Sequence, residues 1–386
     1  ALARTGRLPV ISQSSSFQFR EASPGAREVG RQLGVSHVLE GSVRMAGEQI
    51  RLTTQLVDTQ SGELLWSEVY QRELLDIFKL QQEIAIDIVD QVYLALGFKR
   101  AALLSELART EPPVVPPTAN LEAYDLFLRG MAMMKSDRPV LIEQAPEYFD
   151  RAIDLDSNYA DAWAAKGYYL ALLGSNRSGT SHIPATVYPG AIAAFRKALE
   201  IDPGHAFATG WLGFTLMVND FNWTEGMQLM EQSLDLNPND AELLSTYGFY
   251  LDTMRLEGAE EVLRRAYRLN PHSMDTIVNL ALNWRRKGRL LEAAALVETR
   301  LEEDREGYAA NLFAAWFNMG ISRLDAAEEQ FRRARAVANP VDLNLDAAQW
   351  MVDTRRGKGP MPMKQIRERM QTEKLSSAVL SVSYTH

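Results

Sequence analysis

The sequence contains no cysteine, which excludes disulfides, thiolate metal ligands and a cysteine nucleophile and leaves the redox compartment open. No apolar run approaches the ~18 residues that a membrane-crossing helix needs, and the first residues show no secretory signal pattern. Histidine is scarce: His37, His182, His205, His272 and His386 lie too far apart for any two to share a helix face. A lone histidine such as His37, in a strand pattern, reads as a packed or edge residue, and the other four read as loop and terminus residues. The catalytic motifs are missing as well. There is no GxxxxGK[ST] phosphate loop, no GxGxxG after a strand, no HExxH and no GxSxG. The many Asp and Glu residues on helical segments read as solvated faces.

Basic charge is in deficit, with 41 Lys and Arg against 50 Asp and Glu and a net charge of -9. Residues 1–110 are nearly balanced, so most of the excess lies in the remaining 276 residues, where 29 basic side chains face 37 acidic ones. A surface of that sign lacks the basic stripe that neutralises phosphates and argues against nucleic acid as a ligand. At 386 residues and 46% hydrophobic composition, the chain is long enough for two or three domains.

What is present is a repeat. A small residue returns at Ala145, Ala191, Gly226, Ala259, Ala293 and Ala327, with gaps of 46, 35, 33, 34 and 34 residues. An apolar residue follows four positions later in every unit (Phe149, Phe195, Met230, Leu263, Val297, Phe331). A small one follows after three more in all but the fifth, where Arg300 stands. Pro203, Pro238 and Pro271 close three units, and Pro340 falls one residue late in the last. Small side chains are required where two helices cross closely, and proline at a helix end removes a donor and forces a turn. The pattern resembles tetratricopeptide (TPR) repeats, pairs of antiparallel helices of about 34 residues each. Trp163 with Gly167, Leu212 with Gly213, and Tyr247 with Gly248 fall where that family has its recurring aromatic, Leu and Gly.

Ahead of the repeats the period changes. Ile50, Leu52, Thr54 and Leu56 alternate with Arg51, Thr53, Gln55 and Val57, as in a half-buried strand, and 37–45 and 64–70 read as its neighbours. Turns at 46–48 and 61–63 make two hairpins. A short helix is predicted at 26–33 and a long amphipathic one at 74–96, with Ile77, Leu80, Ile84, Ile88 and Val92 on one face. The stretch TEPPVVPPTA at 110–119 carries four prolines and reads as an extended linker. The fold class is therefore α+β, a small α/β domain followed by an all-α superhelical solenoid. Its parts are expected at 1–105, 106–119 (linker), 120–340 (about six repeats) and 341–375 (capping helices that include Trp350).

The run SQSSSFQF at 12–19, the segment 27–74 with VLEGSVR at 38–44 and LWSE at 65–68, and DIFKLQQEIAIDIV at 76–89 resemble the TolB-like N-terminal (FlgO-type) domain of bacteria. That resemblance implies a regulatory region beside TPR repeats, commonly behind a class III nucleotide cyclase, winged-helix or protein kinase domain. The sequence itself shows no cyclase or kinase signature. The family domain usually begins with one more strand and helix, so the chain is expected to be a fragment, its effector domain upstream. Both the cytoplasm and, with an upstream anchor, the periplasm are compatible.

Stacked repeats line a groove with their first helices, and a protein or peptide is the partner such a groove takes. Aligning the units points Tyr168, Phe214, Phe249, Asp252, Asn279, Arg285 and Arg286 toward it, with Phe214 and Phe249 equally readable as core. The Lys and Asn pattern of a carboxylate clamp is missing. The segment GSNRSGTSHIPATVYPG at 174–190 reads as a flexible inserted loop, and Arg285, Arg286, Lys287 and Arg289 form a basic run that suits either an acidic partner or a helix C-terminus. No cofactor, metal site or catalytic residue is expected in the chain.

Overall fold

The computed structural model describes residues 9–73 except 18, 20–23 and 48, then 84, 87–89, 91, 92 and 94, and finally 118–357 except 135–138, 175–183, 304, 306, 338–348 and 350. The predicted helix at 74–96, the linker and the capping helices therefore lie largely outside the described residues. Those that are described between 84 and 94 are helical, as are 351–355.

Contacts divide the chain into two compact units, one of Ala1–Lys166, Ala194–Gly210 and Glu231–Asp240, the other of Gly167–Ala193, Trp211–Met230 and Ala241–His386. In the first, a short helix α1 (Gln13–Phe17) and α2 (Ala26–Leu33) precede β1 (His37–Ala46), β2 (Gln49–Asp58) and β3 (Leu64–Glu73). The three strands form one antiparallel sheet in the order β1-β2-β3. Alternation decides which side is covered: Ile50, Thr54 and Leu56 of β2 are buried, and Ile50 and Tyr70 pack with Leu52 and Ile84. The second hairpin is fixed by Asp58, whose Oδ1 accepts from the backbone N–H groups of Gln60 and Ser61 and from the Ser61 hydroxyl. These bonds, Ser61 first, hold the Asp58 carboxyl below its ordinary value. Helix α2 ends at Gly34 in the left-handed conformation (φ 66°). Its Gly30 lies against Thr59, whose Cβ would be 2.3 Å from any added side chain.

Among the described residues from 118 to 337 twelve helices follow: α3 (Leu121–Met134), α4 (Pro139–Leu155), α5 (Ala160–Gly174), α6 (Pro184–Ile201), α7 (Ala206–Asn219), α8 (Trp223–Leu236), α9 (Ala241–Thr253), α10 (Ala259–Leu269), α11 (Met274–Arg286), α12 (Leu290–Glu303), α13 (Tyr308–Gly320) and α14 (Leu324–Val337). The small and apolar positions of the period that open each unit sit where the repeat requires them. Ala145, Ala191, Ala259, Ala293 and Ala327 are buried, and so are Phe149, Phe195, Met230, Leu263, Val297 and Phe331. The reason is closeness: a side chain at Gly213 of α7 would come within 2.5 Å of the Gly226 carbonyl oxygen of α8.

The turns repeat too. At the end of α4, α6, α8 and α10 the N–H of Asp156, Asp202, Asn237 or Asn270 donates to the carbonyl of Ala152, Ala198, Ser233 or Ala266, at the small residue that closes each motif. Within units, Leu256, Arg289 and Arg323 donate their N–H groups to the carbonyls of Leu251, Trp284 and Asn318, five residues back. Each closure passes through a left-handed residue, Arg255 (φ 58°), Gly288 (φ 79°) or Ser322 (φ 64°).

One expectation changes here. The segment read as a loop at 174–190 is helical from Pro184, which opens α6, and α6 runs on through Pro189. Proline suits the first helical turn, where its missing N–H has no partner to lose. Val187 and Tyr188 are buried, and the Tyr188 ring covers Gly174 so closely that a Cβ there would lie 2.5 Å from it.

Candidate functional site

On α11 and α13 of the second unit the accessible side is one stripe, repeated after 34 residues; the same positions on α9 are Ala241, Ser245 and Gly248, all buried, and the half-buried Asp252. On α11 it runs through Asp275, Asn279, Leu282 and Arg286, spaced i, i+4, i+7 and i+11 as one helix face requires. The same four positions one repeat later, Ala309, Phe313, Trp316 and Gly320 of α13, are half-buried or exposed while most of the helix between them is buried. Adjacent repeats are joined along this stripe by hydrogen bonds between equivalent positions. Asn279 Nδ2 donates to Ser245 Oγ at 3.0 Å and to its carbonyl at 3.4 Å, and Arg286 donates to the Asp252 carboxylate. Asn283, 1% exposed, adds a donation to Asp252 Oδ1 at 2.9 Å. The polar rungs hold α9 and α11 in register. Leu282, Phe313 and Trp316 give the stripe its apolar part, each only partly covered by the core clusters beside it.

Of the seven residues expected to face a groove, six separate into two groups and Arg285 stands apart from both. Asp252, Asn279 and Arg286 belong to the rungs just described. Tyr168, Phe214 and Phe249 belong to an aromatic chain: Tyr168 stands edge-on to Trp211 (4.6 Å between ring centres), Trp211 to Phe214 (5.4 Å) and Phe249 to Tyr250 (5.3 Å). Phe214 is buried in that chain, the core alternative of the two open for it, and Phe249 is half-buried. The Tyr168 hydroxyl also donates to Glu242 Oε1 at 2.5 Å. Arg285 is exposed and takes part in no ion pair among the described residues. Sequence reasoning missed Ser245, Asn283 and Glu242. The signal that finds the first is the 34-residue separation from Asn279, which places two polar side chains at one position of adjacent repeats.

Most of the basic run is satisfied within the chain. Glu260, at the start of α10, accepts from Lys287 Nζ at 2.7 Å, Arg289 Nη1 at 2.8 Å, Arg264 Nε at 3.0 Å and Trp284 Nε1 at 3.0 Å. Two guanidinium groups lie over the Trp284 ring, Arg264 at 4.9 Å and Arg289 at 4.5 Å from its centre. The Lys287 hydrogen bond above all, followed by those from Arg264 and Arg289, lowers the Glu260 carboxyl to about 2 against the resistance of burial. Arg286, Lys287 and Arg289 are structural, and Arg285 has no ion-pair partner among the described residues.

Two of the histidines have defined roles. In the first unit His205 precedes α7 and caps it: Nδ1 accepts from the Ala208 N–H at 3.2 Å while Nε2 points at Asp161 Oδ1 at 3.0 Å. An accepting Nδ1 and a donating Nε2 define the neutral ring with its proton on Nε2. His37 lies 3.9 Å from the Asp58 carboxylate. Among the described residues no group of three or more His, Asp or Glu side chains is placed to hold a metal ion, and no helix is long and apolar enough to cross a membrane.

None of the protein-family models matches the chain. A protein of Rhizobium meliloti (strain 1021) named "Putative adenylate cyclase 3" is 36% identical over 164 residues, which is 42% of this chain and 26% of that protein. The matched part thus spans about a quarter of that relative's length. Among solved structures, a monomeric mutant of IFIT1 with m7Gppp-AAAA superposes with a TM-score of 0.51 at 15% identity, over 67% of this chain and 57% of that one. That likeness concerns the helical-repeat fold alone. YrrB, described as a TPR protein with an unusual peptide-binding site, matches at 21% identity over 52% of this chain and 97% of its own, with a TM-score of 0.33.

Proposed function

We propose that the chain is the partner-binding region of a bacterial signalling protein, with the stripe on α11 and α13 taking a peptide or a protein segment. The observation that carries this reading is the stripe itself: Asp275, Asn279, Leu282 and Arg286 recur in position as Ala309, Phe313, Trp316 and Gly320 on the accessible side of a buried pair of helices. Half-covered apolar groups beside fixed polar rungs, with Arg285 exposed at the margin and in no ion pair among the described residues, suit an extended or helical segment with apolar anchors and an acidic residue.

In this reading 1–105 is a TolB-like module, 106–119 a linker, 120–340 about six TPR units and 341–375 a cap. The order α2-β1-β2-β3 with its two tight hairpins supports the first of these. The likeness to a protein named as an adenylate cyclase favours a class III cyclase as the parent, with catalysis performed outside this chain. The chain alone should then make no cyclic nucleotide. For the stripe, peptides selected by display against the chain and fitted with a photoreactive group should cross-link within 275–286 and 309–320. Cross-links confined to other helices would remove the assignment.

A further inference from the structure

Among the described residues β1 is an outer strand of the sheet, and every residue from Leu39 to Ala46 is exposed. Edge strands are ordinarily protected by charge, of which β1 has only Glu40 and Arg44, or else by proline, bulges or short length. β1 has none of the last three: it is ten residues long, contains no proline and runs in unbroken register with β2, whereas the other pairing is interrupted at Leu56/Val57. Its two faces differ. Leu39, Val43 and Met45, exposed by 41%, 64% and 62%, share one, while Glu40, Ser42 and Arg44 share the other. Across β2 Arg44 stands opposite Arg51 and Glu40 opposite Gln55, so neither meets a counter-charge, and the two arginines repel.

We propose that β1 pairs with β1 of a second copy of the chain, antiparallel about a two-fold axis through Ser42. In that register Glu40 of each copy faces Arg44 of the other, Leu39 faces Met45 and Gly41 faces Val43. Moving the axis to a neighbouring residue breaks both ion pairs. The sequence Glu-x-Ser-x-Arg is thus its own complement on reversal, which is what an isologous interface demands. Two three-stranded sheets become one of six, with the apolar row continuous across the join. Hydrogen bonds along one strand pair and two exposed ion pairs make a small interface of modest affinity.

Sedimentation equilibrium on the whole 386-residue chain tests this. The wild type should dimerise with a dissociation constant in the micromolar range. Arg44→Glu should weaken association at least about tenfold, because acidic groups then face each other across the axis. Folding is spared, since the same change removes the repulsion with Arg51, so its unfolding midpoint should not fall. Combining it with Glu40→Arg should restore association. Because the chain has no cysteine, Ser42→Cys adds a unique thiol, and the paired Cα atoms at roughly 4.5–5.5 Å lie within disulfide reach. Oxidation should link that variant covalently but not Ala46→Cys, whose copies are about 26 Å apart along the strands. A wild type monomeric at about 100 μM would overturn the pairing, that limit lying well above the micromolar range. So would a charge-reversed variant that associates normally, a double swap that fails to recover, or equal cross-linking at both positions.

Discussion

Arg286 donates to the carboxylate of Asp252, a residue 34 positions earlier and at the same place in the preceding repeat. Asp252 also holds the buried amide of Asn283, and its side chain is 11% exposed against 42% for Arg286. The two halves of the pair are therefore unequal. Asp252→Ala strands two donors, one of them buried, and should cost about 2 kcal/mol; Arg286→Ala leaves Asp252 with Asn283 and should cost about 1 kcal/mol or less. Denaturant unfolding of both variants should give that order, and equal costs would show that Asn283 does not depend on Asp252.

Glu260 makes stability depend on acid. Its carboxyl is lowered to about 2 in the folded chain, below the ordinary value of 4.5, so the contribution is fully present above the unfolded value and is lost as pH falls through the folded one. The loss should run from about pH 5 to about pH 2. Glu260→Gln should flatten the wild-type decline in unfolding midpoint over that interval. An unchanged slope would mean that the carboxylate is no better held in the folded chain than in the unfolded one.

The turns inside the last three repeats supply a comparison across equivalent sites. Arg255 and Ser322 occupy the left-handed position that Gly288 fills without strain. Arg255→Gly and Ser322→Gly should each raise stability by up to about 1 kcal/mol, and Gly288→Ala should lower it by about the same amount. Thermal unfolding of the three variants checks the signs.

Gly213→Ala brings a methyl group against the backbone of the facing helix, since its Cβ would lie 2.5 Å from the Gly226 carbonyl oxygen, which cannot swing away. A cost of roughly 1–3 kcal/mol is expected from forced separation of α7 and α8. Gly204→Ala, where the nearest atom would be 3.5 Å away, serves as the control and should change little.

Much of the fold was legible in the chain because its causes are local and periodic. β1, β2, β3 and α2 fall within three residues of their expected ends, since alternation and turn residues act over a few positions. The recurring small residues located the helix crossings for the same reason. The loop expected at 174–190 was misread from Pro184 on, where composition outweighed position: Gly and Pro suggested a turn, but Pro184 and Pro189 lie early in a helix anchored by buried Val187 and Tyr188. The candidate site was legible only in part. That Arg286, Lys287 and Arg289 answer to Asp252 and Glu260 depends on contacts between repeats, and a linear run of positive charge does not reveal whether its partners lie inside the chain.

Binding along the stripe of α11 and α13 is tested at its margin by Arg285, which lies beside Arg286 at the C-terminal end of α11, is exposed and supports no ion pair among the described residues, so its charge can be reversed without breaking a rung. The measurement is the affinity of one display-selected acidic peptide for the wild type and for Arg285→Glu, read by fluorescence anisotropy with unfolding midpoints taken alongside. The account predicts a loss of at least about tenfold at an unchanged midpoint, as expected when a contacting charge is reversed. Equal affinity for the two proteins would contradict it.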